Sequence, residues 1–222
     1  MPIEAVVFDL DGVVVDSEPV WERVRRQFVT DHGGHWSPDA QQRLMGMSTP
    51  EWAGYLAGDL GVDLPAAQVA PAVVELMAAA YREELPLLPG AVDTVHRIAA
   101  RWPVAVASSS PRALIDTVLH ETGLDHVLRM TVSSEEVPRG KPAPDVYLAA
   151  AVGLGIAPEA CAAVEDSSNG LRSAAAAGMR VFAVPQPNYP PEPDALALAA
   201  AVLAHIGQLT VELLVSQPQR RR

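Results

Sequence analysis

Four stretches of the 222-residue chain place carboxylates, hydroxyls or an ammonium directly after or close to an apolar run. In the first, "VVFDLDGVVVDSEP" (6–19), the run ends in Asp9 and Asp11, one residue apart, followed by Gly12. Residues i and i+2 of an extended segment point the same way, so both carboxylates can reach one substrate. Alone, Asp-Gly also fits the turn of a β-hairpin. It fits an EF-hand loop poorly, because that loop needs a further ligand before its glycine. The second stretch, "CAAVEDSSNG" (161–170), repeats the arrangement with Glu165 and Asp166. Two carboxylate pairs at neighbouring strand ends repel unless a cation lies between them. Magnesium suits that place, since it takes a few carboxylates, waters and a phosphate oxygen. Asp166 or Ser167 also suits the N-cap of a helix starting near Ser168, a role compatible with metal binding.

The third stretch is "VAVASSSP". Ser108 and Ser109 follow an apolar run, and Ser110 precedes Pro111 as an N-cap precedes the first helical residue. Hydroxyls and free N–H groups at a helix start suit a phosphate. The fourth is "RGKPAPDVY", where Lys141 precedes a proline and its backbone is biased to extended geometry. Its ammonium supplies the positive charge that a phosphate and four acids lack. Together the four stretches specify phosphoryl transfer. One carboxylate stays ionised and attacks phosphorus. Another protonates the leaving oxygen and later takes a proton from water.

Positioning these groups needs strands that end together. "AVVF" (5–8), "VAVA" (104–107), "CAAV" (161–164) and "VFAV" (181–184) have the character of buried strands. Helical patterns lie between them at roughly 91–101, 111–122, 144–153 and 168–177. This alternation implies an α/β fold, a Rossmann-like parallel sheet with helices on both faces, which binds ligands beyond the carboxyl ends of its strands. It fails between about 18 and 85. There Val20, Trp21, Val24 and Phe28, and later Val69, Val73, Met77 and Tyr81, repeat at helical spacing. "GMSTPEW" (46–52) offers another helix start, with Ser48 or Thr49 as cap. The segment is too long for an ordinary crossover. We expect an inserted all-helical cap at 16–85 and an α/β catalytic core at 1–15 and 86–222.

Composition narrows the function classes. A formal charge of −11 argues against nucleic-acid or anionic-membrane surfaces, and the only basic run is the terminal "RRR". Cys161 is the single cysteine, so no internal disulfide forms, and its apolar surroundings favour a buried small residue. The most apolar segment, "ALALAAAVLA" (195–204), is too short to span a bilayer. The expectation is a cytoplasmic monomer.

At these residues the chain resembles the haloacid dehalogenase superfamily, in particular its phosphatases with a helical cap after the first motif. "DLDGVVVDSEP", Ser108, "GKPAPDVY" and "EDSSNG" match its four motifs in order and spacing. The resemblance implies that Asp9 is nucleophile and magnesium ligand. Asp11 would be general acid/base and give the metal its backbone carbonyl. Ser108, Ser109 and Lys141 would hold the phosphoryl group. Asp166 would ligate magnesium, and Glu165 would either touch the metal or stand behind it. Dehalogenases lack an aspartate at the Asp11 position, so the expected reaction is hydrolysis of a small phosphorylated metabolite, a sugar or polyol phosphate.

A sugar phosphomutase on the same fold is the alternative. Its cap carries a histidine where Trp21 stands and a phosphate-gripping arginine near Pro50, so water is the favoured acceptor here. A receiver-like phospho-aspartate signalling module shares the acids but has about half this length and no helical insert. Glu18, Trp21, Gly46 and Met47 are the cap residues proposed to face substrate; packing within the cap is the other role open to Trp21 and Met47.

Overall fold

The computed structural model describes residues 1–44 and 47–216, so Gly46 and the terminal arginines lie outside the described residues. In chain order the elements are β1 (Ala5–Phe8), α1 (Glu18–Asp31), α2 (Ala40–Leu44), α3 (Thr49–Gly58), α4 (Ala66–Glu83) and α5 (Ala91–Ala99). Then follow β2 (Val104–Ser108), α6 (Arg112–Thr122), β3 (Met130–Ser133), α7 (Asp145–Leu154) and β4 (Cys161–Glu165). The chain continues through α8 (Ser168–Ala176), β5 (Arg180–Ala183), α9 (Pro193–Leu196), β6 (Ala201–Val202) and α10 (Val211–Val215).

The chain divides into two compact units, Met1–Asp16 with Leu87–Arg222, and Ser17–Pro86. In the first, six strands form one sheet in the order β3-β2-β1-β4-β5-β6, all neighbours parallel. Helix α7 packs across β1, β2 and β3, α8 across β4 and β5, and α5 and α6 against β2 and β3. One continuous core joins Ala5, Val7, Ala105, Ala163 and Val181 to Tyr147, Ala150 and Leu171. The alternate strand residues Val6, Phe8, Val106 and Val164 are buried as completely. Both faces of the sheet are therefore covered, as parallel strands require.

Two strands differ from the sequence expectation. β3 ends in Ser133 and its first two residues are only half-buried, so no apolar run marks it. β6 is a two-residue edge strand inside the alanine-rich segment 195–204. The sheet order reverses direction between β1 and β4, and at such a switch point the loops part to leave a crevice beyond the strand ends. The loops carrying Asp9 and Asp166 flank that crevice.

The helical unit is built from α1 to α4. Phe28, Leu56, Val69, Val73 and Met77 form its buried interior. Ser48 opens α3, where its N–H and Oγ both donate to Glu51 Oε2, at 2.8 and 2.6 Å. Arg25 is 7% exposed, with its guanidinium 4.2 Å from the Trp21 ring centre and 5.0 Å from that of Trp52. Burial lowers the Arg25 guanidinium to about 10 against the opposing pull of Glu18, so it remains a cation over two aromatic faces. In the sheet unit, the residues that adjoin the two junctions are paired: Val15 bridges Leu87 antiparallel, and Leu88 N–H donates to Val14 O at 2.9 Å.

Among the described residues no helix is long and apolar enough to cross a membrane. Cys161 is fully buried, and burial pushes its thiol up to about 11.

Candidate active site

The residues singled out in the sheet unit meet at the carboxyl ends of β1, β2 and β4. β1 hands over to Asp9, whose N–H still donates to Val164 O at 2.9 Å, so the aspartate leaves the sheet in register with β4. The chain then turns tightly. Leu10 O accepts from Val14 N at 2.8 Å, and Gly12 takes φ +72°, a region that favours glycine. No hairpin forms at "DLDG", because β1 pairs with β2 and β4 and not with the residues that follow it.

Lys141 reaches this point from the loop before α7. Its ammonium donates to Asp9 Oδ1 at 2.8 Å, Glu165 Oε1 at 2.6 Å and Ala107 O at 3.0 Å, which uses all three N–H donors. Glu165 is fully buried. Besides Lys141, its Oε1 accepts from Tyr147 OH at 2.8 Å, and Oε2 accepts from Asp166 N at 3.1 Å and Ser167 Oγ at 3.3 Å. Gly170 makes room for it: a Cβ there would lie 1.9 Å from the Glu165 carboxyl carbon. Ser167 caps α8 by accepting from Gly170 N, and Asp166 does not cap it.

The electrostatics follow from burial and like charge. Burial first, and the Glu165 charge next, push Asp9 up to about 8 despite Lys141. The same two causes, with Asp9 added, hold Asp166 well above the ordinary carboxylate range. Burial would lower the Lys141 ammonium, but Asp9 and Glu165 outweigh it and hold it above its usual value. Burial and the Glu165 charge raise the Tyr147 phenol, which keeps it a donor. One ammonium therefore faces several acids. Ligand oxygens of Asp9, Glu165 and Asp166 all lie within 4.8 Å of one another. The Asp166 carboxylate accepts no hydrogen bond among the described residues and rests where a Gly12 Cβ would be, 1.9 Å from its Oδ2. An all-oxygen donor set with surplus negative charge fits a hard divalent cation. Asp9 and Asp166 are the least committed members of that set.

Asp11 is held on the other side. Its Oδ2 accepts from Ser110 Oγ at 2.7 Å and Ser108 Oγ at 3.2 Å. This corrects the sequence reading of Ser110. Pro111 occupies the N-cap position of α6, and the Ser110 hydroxyl goes to the aspartate instead. Ser109 is exposed, between two buried serines. In the helical unit Trp21 is buried against Trp52 and Arg25, Met47 is half-buried, and Glu18 accepts from Gln41 Nε2 at 2.8 Å.

The model of the haloacid dehalogenase-like hydrolases matches residues 3–178. The chain belongs to this family. The hydrolase is 34% identical to hexitol phosphatase B of Escherichia coli (strain K12) over 96% of this chain and 97% of that protein. It is 30% identical to the fructose-1-phosphate phosphatase YqaB of the same organism, over 78% of this chain and 92% of that one. Among solved structures, CbbY from Rhodobacter sphaeroides in complex with phosphate superimposes with a TM-score of 0.86 at 27% identity. That match covers 96% of this chain and 99% of CbbY.

Sequence reasoning did not assign three residues of the hydrolase's site. Tyr147 stands in the quoted "GKPAPDVY", but only the fold shows its hydroxyl on Glu165. Ser110 carried a local explanation that hid its long-range partner. Gln186, from the loop after β5, donates to Gly12 O; the flanking prolines mark a loop but not its partner.

Proposed function

We propose that this hydrolase is a magnesium-dependent phosphatase acting on a small sugar or polyol phosphate through a phospho-aspartyl intermediate. The observation that carries the reading is the surplus of carboxylate over cation at the switch point, where the single ammonium of Lys141 is already shared between Asp9 and Glu165. Substrate class is inferred from the relatives named hexitol phosphatase B and fructose-1-phosphate phosphatase.

Asp9 Oδ2 takes no hydrogen bond among the described residues and is the oxygen that attacks phosphorus, while Lys141 fixes Oδ1. Asp11, oriented by Ser108 and Ser110, gives its proton to the departing oxygen as the P–O bond breaks. It then takes a proton from the water that opens the phospho-aspartate, which restores both carboxyls. Ser108, Ser109 and Lys141 hold the phosphoryl oxygens during this exchange. Asp9 and Asp166, with the Asp11 carbonyl, would hold Mg2+, and Glu165 anchors Lys141 behind them. When bound, the cation supplies charge neutralisation for the phosphate oxygens and the cluster.

Substrate selection is assigned to the helical unit, with Glu18 and Met47 as candidate contact residues; Trp21 is packed against Trp52 and Arg25 instead, and Gly46, the remaining candidate, lies outside the described residues. Hydrolysis is favoured over a mutase reaction because, by the family resemblance, the mutase-type histidine falls at Trp21, which offers no proton acceptor. Membership of a hydrolase family likewise favours turnover over a receiver-like switch. The test is phosphate release from p-nitrophenyl phosphate and a panel of hexitol, hexose and pentose phosphates, with and without Mg2+. Expected are chelator-sensitive turnover, its loss in Asp9→Asn, and preference for the polyol and sugar esters. Chelator-insensitive turnover, or an active Asp9→Asn, would refute the reading.

A further inference from the structure

Gly12 sits where several parts of the cluster converge. Its N–H donates to Val15 O at 2.7 Å, and the Asp166 carboxylate fills the space its side chain would have taken. The peptide before it carries the Asp11 carbonyl. A glycine at φ +72° has wide backbone freedom; the turn's own bonds hold its N–H, and its carbonyl is held from a second segment. The hold comes from Gln186, whose Nε2 donates to Gly12 O at 2.5 Å. Gln186 stands between Pro185 and Pro187, whose fixed φ angles restrict the backbone of the loop that carries it. It is half-buried, so the bond is shielded from competing water.

We propose that Gln186 is a positioning residue for the divalent cation. By holding the Gly12 carbonyl it fixes the Gly12–Val13 peptide, and with it the Gly12 Cα against which the Asp166 carboxylate rests, and so governs cation affinity more than the chemical step. This rests on the magnesium-dependent reading above. Groups that orient metal ligands commonly change affinity or activity by 10- to 100-fold when removed. Gln186 acts on a backbone carbonyl next to a ligand, so the low end of that range is expected.

Gln186→Met keeps the length and removes the donor. Mg2+ binding to the substrate-free protein is measured by isothermal titration calorimetry, beside the melting of the metal-free protein and the Mg2+ activation curve with p-nitrophenyl phosphate. The expected result is a Mg2+ dissociation constant about tenfold higher. The half-activating concentration rises in step, and kcat at saturating Mg2+ stays within about twofold of wild type. A dissociation constant within about twofold of wild type overturns the proposal, whatever happens to melting, because Gln186 then only tethers its loop. A fall in kcat at saturating Mg2+ with unchanged affinity overturns it too. If the methionine variant fails to fold, Gln186→Asn, one methylene short of the carbonyl, gives the same comparison. A wild-type protein that binds no divalent cation sinks the magnesium reading itself, a result distinct from these.

Discussion

Replacing Asp9 by asparagine is expected to stabilise the metal-free protein, and to do so only as pH rises. In the folded chain Asp9 is pushed from an ordinary 3.8 up to about 8, chiefly by burial and by Glu165. A group whose folded value is raised contributes stability that is complete below 3.8 and lost as pH climbs through about 8. Each pH unit inside that window removes about 1.4 kcal/mol, so the metal-free wild type gives up on the order of 5 kcal/mol by pH 8. Asparagine does not titrate, keeps the Oδ1 acceptor for Lys141, and relieves the charge that Asp9 places on Asp166. The two proteins should therefore be about equally stable near pH 4 and diverge steadily above it. Urea unfolding followed by tryptophan fluorescence, in chelator at half-unit steps from pH 4.5 to 8, measures the gap. Millimolar Mg2+ should narrow it from the wild-type side. A gap that is constant with pH, or a wild type more stable than the variant at pH 8, would refute the electrostatic account.

Three further outcomes follow from the same geometry. Lys141→Met should cost about 3–5 kcal/mol in stability near neutral pH, because Asp9 and Glu165 lose their shared partner, and the loss should shrink in acid; denaturant titration at pH 5 and 8 checks both. Gly170→Ala places a Cβ against the Glu165 carboxyl, and should cost about 1–3 kcal/mol in unfolding free energy and lower activity by displacing Lys141. Ser110→Ala removes a 2.7 Å bond to Asp11 and should lower kcat by roughly tenfold with little change in KM, a loss of the size expected for a hydrogen bond to a carboxylate. Steady-state kinetics separate the two parameters.

The four strands that end in or lead to functional residues were legible in the sequence because each is a short apolar run, stopped by a polar residue in three cases and by Pro185 in the fourth. β3 escaped because Thr131 and Ser133 break its apolar character, and β6 because an alanine-rich stretch carries no period. At the site, residue types and strand-end positions were readable, since the parallel fold forces those ends together. The partnerships were not. Ser110 had a sufficient local explanation as a helix cap, yet its hydroxyl lies on a carboxylate 99 residues away. Tyr147 and Gln186 likewise act on partners distant in sequence, and no local pattern encodes such a bond. Arg25 lies among the apolar positions of α1, and that it is buried over two tryptophans depends on where α3 brings Trp52.

The pairing of Val15 with Leu87 has an architectural consequence. A chain that departs and comes back through hydrogen-bonded neighbours presents any excursion to the sheet as one closed loop. Closure entropy grows only with the logarithm of loop length, so the sheet scarcely registers how large the excursion is. The segment from Ser17 to Pro86 is thus expected to be exchangeable for a short turn or a relative's segment at little cost in closure entropy to the six strands.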